Sequence, residues 1–495
     1  MARLHPYLAT FSAVLLFAPM AGAAPEGPRT LFGKELREVP EPSAEELEAR
    51  RQEFEAGLEQ RGMVLQGDVV MPKAMADAYY GDLVAPLPEA EAWEEPPHRS
   101  TIFLNFFGGP LKYGTIASEG QSPCVQGKVD YPPYKGSEQT ALAIIQIFKD
   151  AAEPYGLRIA FEEVPPKHLP YSQVMMGGKS SSIGLGQGIL GVSCNLDCGD
   201  QWLRDTTFAF TEESNNVGVL GTTALQEAAH SFGLDHIAGQ NNIMYPFATL
   251  GKKVWAQECT QYDDSTGGIG CTSVHQMFCP ADAQNPKGRQ NDNAELLAYF
   301  GVNTPDVEPP TVKLLSPMEG QMYTKGDTIH VEAEVDDDHL GFGWHLVVPE
   351  LGQDLPVYYG EKTWDFPAGG KGEFTIIVEA LDHDGNVGSD QRKIYIDYVP
   401  GEDPTTGGED PTTGDTPTTG LDSSDDAGSS GADSSGADSS DDAGDVDGPP
   451  PGLTTGTNMD DNDSGCSCRD AAPTPGPTWL LALGGVLALR RRRRA

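Results

Sequence analysis

Between Thr222 and Pro246 the chain reads TTALQEAAHSFGLDHIAGQNNIMYP. Gln226 and His230 stand four residues apart, so a helix would carry both on one face with Glu227 beside them. Gly233 can take positive φ without penalty, which lets the chain leave that helix and swing His236 back toward the same face. Met244 and Tyr245 follow in NNIMYP. Two imidazoles converging beside a carboxylate suit metal-assisted hydrolysis: the ligands leave one coordination position for water, and the carboxylate serves as base to that water.

The arrangement resembles the metzincin metalloproteases, whose motif reads H-E-x-x-H-x-x-G-x-x-H followed by a methionine turn, and the Met-Tyr-Pro ending is most similar to the matrixin branch. Carried over position by position, the resemblance implies that Glu227 is the general base, that His230 and His236 are ligands of Zn2+, and that Met244 and Tyr245 form the turn beneath the site. Gln226 stands where the first histidine belongs. An amide oxygen is a poorer zinc donor than imidazole, thiolate or carboxylate. Three outcomes stay open: Gln226 ligates through its oxygen while Asp235, His275 or another group improves the site; a metal more tolerant of oxygen replaces zinc; or the site holds nothing and the domain is a binding module. His275, in CTSVHQMFC, reads more simply as a surface histidine in a disulfide-stapled loop. His98, His168, His330, His339, His345 and His383 show no ligand spacing.

These residues need a scaffold, and the upstream sequence supplies its elements. STIFLNFFGG, from Ser100 to Gly109, is an apolar strand closed by glycines. SEQTALAIIQIFKDAAEPYG places Ala141, Ile144, Ile145 and Phe148 on one helical face. LRIAFEEV, SSIGLGQGILGVS and TTFAFTEE read as further strands, so the motif helix reaches a mixed sheet that is already built. After DVEPP, short alternating runs such as TIHVEAEV, GEFTIIVEAL and RKIYIDY predict an antiparallel sandwich resembling bacterial immunoglobulin-like or fibronectin-like modules. Asp382, Asp384 and Asn386 lack the glycine and distal glutamate of an EF-hand loop and read as a tight turn.

Ahead of the strands, Ser43 and Glu46 form a capping-box signature for one charged helix that Gly62 stops. This polar, proline-studded segment is either a prosegment over the cleft or a packing extension. It contains no cysteine to plug a zinc.

At the ends, an apolar run followed by AGAA reads as a signal peptide. The tail, from Cys466 and Cys468 through an apolar run to five arginines, resembles the myxobacterial C-terminal sorting signal. That resemblance implies a processing protease, a transient membrane segment, and display at the cell surface or outer membrane, with release as a further option. Repeated Asp-Pro-Thr-Thr-Gly and Ser-Ser-Gly-Ala-Asp units precede it and cannot bury a core. The formal net charge of −41 argues against nucleic acid and anionic membrane surfaces as partners. Cys124, Cys194, Cys198, Cys259, Cys271 and Cys279 read as three disulfides of unspecified pairing in an oxidising compartment.

The expected organisation is a signal peptide 1–23, an extension or prosegment 24–98, an α+β metzincin-like domain 99–303, an all-β immunoglobulin-like domain 309–399, a disordered acidic linker 400–464 and a sorting signal 465–495. The expected function is an exported zinc endopeptidase acting on extracellular proteins or peptides. The rivals are a catalytically inactive adhesin or peptide-binding protein, and an extracellular metal-binding protein without hydrolysis.

Overall fold

The computed structural model describes residues 28–80, 93–199, 205–282, 284–357 and 363–401. The signal peptide, nearly all of the acidic linker, and the tail with Cys466 and Cys468 lie outside the described residues. Among the described residues, no helix is long and apolar enough to cross a membrane.

The chain is mixed α/β. A five-stranded sheet runs in the order Gly191–Val192, Thr206–Phe210, Ser172–Gly177, Ser100–Asn105, Leu157–Ala160. All neighbours are parallel except the antiparallel edge strand Gly191–Val192. Strand alternation sends successive side chains to opposite faces. Val174, Met176 and Ala209 meet one core, which holds Ile144, Ile145 and Phe148 of the helix Glu138–Ala152 and Leu220, Ala224 and Ala228 of the helix Val217–Ser231. Met175, Phe208 and Phe210 face the opposite core.

That opposite core is partly built by the N-terminal segment. The helix Ala44–Gln60 has the expected capping box, with Ser43 and Glu46 satisfying each other's backbone amides. It lays Phe54 and Leu58 against Ile183, Phe208 and Phe210. The sequence predicted only this helix, but a hairpin, Met63–Gln66 with Val69–Pro72, and a helix, Lys73–Tyr80, follow it.

SSIGLGQGILGVS is a correction. Instead of a long strand it forms a 3-10 turn, Ser180–Ile183, and only the two-residue edge strand Gly191–Val192. Gly184 takes φ 90° where the N-terminal helix presses in, and a Cβ there would stand 2.4 Å from the Arg50 carbonyl oxygen. Local apolar composition is overridden by the docking of a distant helix.

Three disulfides join Cys124 to Cys194, Cys198 to Cys271 and Cys259 to Cys279. A sandwich follows. Thr311–Ser316, Thr328–Asp336 and Thr363–Pro367 make one sheet; Gln321–Tyr323, Val387–Ile396, Gly372–Leu381, Gly343–Val348 and Gln353–Val357 make the other. Their alternating inward residues, among them Ile329, Val331, Trp344, Ile376 and Ile394, share one core. Asp382 accepts from the Asp384 and Asn386 amides, each at 2.8 Å, which makes the tight turn expected there.

Candidate metal centre

Asn216 caps the motif helix, its side chain accepting from the Val219 amide at 3.0 Å. The last turns bury Gln226, Glu227 and His230. Gly233 has φ 96°, and a Cβ there would lie 2.8 Å from the Cys198 Cα. Positive φ and close approach together demand glycine. The chain then turns back and places His236 beside His230.

The hydrogen bonds of the two rings settle their chemistry. His230 Nδ1 lies 2.7 Å from the Leu234 carbonyl oxygen, and His236 Nδ1 lies 2.9 Å from that of Gly267. A carbonyl only accepts, so Nδ1 carries the hydrogen in each ring and Nε2 presents a lone pair. The two Nε2 atoms stand 3.1 Å apart. Between neutral rings, two facing lone pairs at that distance call for a shared cation, either a metal ion or a proton on His236, whose proton affinity Asp68 raises.

A third donor comes from the N-terminal hairpin. Asp68 Oδ1 lies 3.3 Å from His236 Nε2 and 3.7 Å from His230 Nε2, and the three groups lie close enough to hold one ion. Oδ1 is shielded from solvent and has no hydrogen-bond partner. Donors bound tetrahedrally to zinc are spaced by about 3.3 Å, given metal–ligand bonds of about 2.0–2.1 Å. The observed spacings bracket that value, so the donor set fits a divalent metal.

Charge and burial act together here. Burial pushes His230 down to about 4, helped by the neighbouring His236. Burial works against the charge on His236 too, but the Asp68 carboxylate outweighs it and raises this ring. Asp68 is held at about 2: burial would raise it, and the two imidazoles prevail. Glu227 is 1% exposed. Burial, then the Asp68 charge, pushes its carboxyl well above the usual range, and Oε2 has no hydrogen-bond partner. Such a carboxyl holds its proton firmly, and it becomes a proton acceptor where a cation beside it offsets the burial and the Asp68 charge.

Gln226 donates its amide Nε2 to the Tyr245 carbonyl oxygen at 3.4 Å, tying the helix to the methionine turn. Met244 is fully buried, and Ile237 donates its amide to the Met244 carbonyl at 3.0 Å. The structure thus brings His230 and His236 together and ties Gln226 to the methionine turn, with Glu227 buried on the same helix as His230.

Asp235 and His275 do not join the centre. His275 is not a surface residue; it is wholly buried on the helix Thr272–Phe278, with Nδ1 2.7 Å from Glu295 Oε2 and Nε2 3.1 Å from Asp235 Oδ2. Asp235 also accepts from the Gly270 and Cys271 amides at 3.0 Å. Local sequence could not show this, because the carboxylates that receive His275 belong to Asp235 and Glu295, on segments before and after its helix. Asp68 was also missed. Its one local signal is the turn in VLQGDVVMP, which marks a hairpin and not a ligand.

Other groups could also hold an ion: His168 with His345 and Glu379, Asp306 with Asp338 and His339, and Asp306 with Asp337 and Asp382. They lie apart in sequence, which is why spacing did not reveal them. The rings of His168 and His345 stack with centroids 3.9 Å apart.

No family model and no curated protein matches the chain. Solved structures with local similarity include fibronectin(III)-like modules of Clostridium thermocellum CbhA, 22% identical over 18% of this chain and 47% of that one, TM-score 0.17. The human KIAA0319 PKD domain is 14% identical over 20% of this chain and 91% of that one, TM-score 0.15. A Thermotoga petrophila endo-beta-1,4-mannanase is 19% identical over 30% of each chain, TM-score 0.15.

Proposed function

We propose that residues 99–303 are a metzincin-like zinc endopeptidase domain, carried on an exported, surface-sorted protein and directed at extracellular proteins. One observation supports this above the others: the Nε2 atoms of His230, on the helix that also buries Glu227, and of His236, beyond its turn, face each other 3.1 Å apart. Zinc held there would polarise a peptide carbonyl and activate a water. Glu227, buried on the same helix as His230, would serve as the base in that hydrolysis and hand the proton on to the leaving amine. Gln226, bonded to the Tyr245 carbonyl, steadies the wall of the site.

The disulfides are compatible with an extracellular protein. The sandwich at 309–399 and the tail at 465–495 are read as an immunoglobulin-like module and a sorting signal, on their sequence patterns.

A second reading, a surface protein that binds metal without hydrolysis, draws on the closure of the site. Ser193, just past the edge strand, donates to the Asp68 carbonyl at 2.8 Å and accepts from the Val70 amide at 2.9 Å. The N-terminal segment therefore lies along the edge a peptide substrate would pair with. Zinc stoichiometry together with peptide-library cleavage by wild type and Glu227→Ala separates the two. Cleavage that Glu227→Ala abolishes supports the endopeptidase. Metal without cleavage supports the second reading, and a protein that takes up no zinc refutes both.

A further inference from the structure

We infer that Asp68 is the third protein ligand of the metal centre and that the N-terminal segment is a permanent part of it, replacing the donor lost at Gln226. The inference rests on the metal-centre reading above, and of the two readings of that segment it takes the packing extension over the prosegment.

The chemistry of the donor set comes first. Two imidazoles and one carboxylate form a ligand set that zinc takes in catalytic sites while keeping a position open. Asp68 Oδ1 is buried without a partner although it lies within 3.7 Å of both Nε2 atoms. A buried carboxylate oxygen without a donor is costly unless a cation meets it. Gln226 offers only a neutral amide oxygen, a poorer zinc donor than a carboxylate, and its Nε2 donates to the Tyr245 carbonyl.

The anchoring of Asp68 is the second, independent observation. Its carbonyl and the Val70 amide both bond to Ser193. Val69, Val70 and Met71 have no exposed surface. Val70 enters the core with Phe208 and Phe210, and Val69 and Met71 pack with Leu196 and Cys271, so the hairpin is shared between two cores of the domain it caps. Departure of the segment would expose all of that apolar surface to water.

The third observation links the two. Gly67, at φ 65°, lies so close to the 266–267 loop that a Cβ on it would stand 2.6 Å from the Thr266 carbonyl oxygen, and a Cβ on Gly267 would stand 2.8 Å from the Gly67 nitrogen. Gly267 is also the residue whose carbonyl orients His236. One glycine-to-glycine contact therefore sets the position of Asp68 and the aim of the His236 ring. Removing the segment would cost the centre a ligand and loosen a second.

The test is zinc affinity of the full chain, measured by chelator competition, with Co2+ substitution to read the ligand field. Asp68→Asn keeps the size of the side chain but removes its charge and turns one acceptor oxygen into a donor. It is expected to weaken zinc by at least about 10- to 100-fold, the cost of losing even a supporting group, and to alter the Co2+ spectrum. His230→Ala should do the same. Gln226→Ala should stay within about threefold of wild type, and Asp68→Glu should restore part of the affinity lost in Asp68→Asn, on the same reasoning about which groups ligate. Thermal unfolding of each variant distinguishes lost affinity from lost fold. Wild type that binds zinc while Asp68→Asn binds it equally well, or a Gln226→Ala variant that alone loses it, overturns the inference and leaves the metal-centre reading standing. Asp68→Asn that keeps its metal and gains peptidase activity also overturns it, in favour of a removable plug. Wild type that binds no zinc overturns both.

Discussion

Replacing His275 by glutamine tests how the buried polar network behind the motif holds the fold. In wild type the ring lies between Glu295 and Asp235, at 2.7 Å and 3.1 Å, with all three side chains sealed from solvent. Burial alone would depress this histidine; the two carboxylates, Glu295 first, reverse that and raise it to about 10. Against its ordinary 6.5, that is worth on the order of 5 kcal/mol at the ceiling. The change also strands two carboxylates, and breaking a buried pair from one side costs about 3–5 kcal/mol. At about 2–4 °C per kcal/mol for a domain of this size, the midpoint should fall by about 6–20 °C. The pH dependence is a second signature. Because the folded value lies above the unfolded one, the stabilisation is complete below about pH 6.5 and is lost as pH rises toward about 10. Calorimetry of wild type and His275→Gln across pH 6 to 10 reads both effects. A drop under about 3 °C at pH 6, or a wild-type midpoint that stays level over that range, would refute the reasoning.

Three further outcomes follow from the geometry. Glu227→Gln keeps the shape of the side chain but cannot accept a proton, so peptide cleavage should fall by about 10²- to 10⁴-fold with zinc content unchanged; a loss of metal would instead assign Glu227 a structural role. Gly233→Ala must place a Cβ at φ 96° and 2.8 Å from the Cys198 Cα. It should cost at least about 2 kcal/mol in urea unfolding, and weaken zinc binding because His236 is carried by the same turn. In the sandwich, burial and then the charges of Asp306 and Asp382 push Asp337 up to about 6. Its folded value lies above the unfolded one, so stability declines as pH rises from about 4 to about 6, and Asp337→Asn should raise the melting temperature at pH 7.5 while leaving it nearly unchanged at pH 4.

Much of the scaffold was legible because its information is local. The Ser43 capping box, the helix carrying Ile144, Ile145 and Phe148, the strand at Ser100–Asn105 and the alternating strands of the sandwich all follow from side-chain period and capping chemistry within a few residues. The run SSIGLGQGILGVS was misread because its apolar residues serve a turn shaped by the docked helix Ala44–Gln60 and not a continuous strand. His275 was misread as exposed because its burial comes from partners at 235 and 295.

By itself the sequence determined the motif: glutamate and histidine on one helix, a glycine to turn the chain, a second histidine and a buried methionine. It did so because helical period and glycine's backbone freedom are properties of neighbouring residues. Tertiary structure decided that the two imidazoles face each other, since the carbonyl that orients His230 is the nearby one of Leu234 but the one that orients His236 comes from the distant Gly267. It alone decided that the carboxylate facing them is Asp68, brought in by a hairpin far upstream whose apolar side chains are buried in the cores of the domain it closes. A ligand recruited through the packing of distant segments leaves no spacing in the chain to be read.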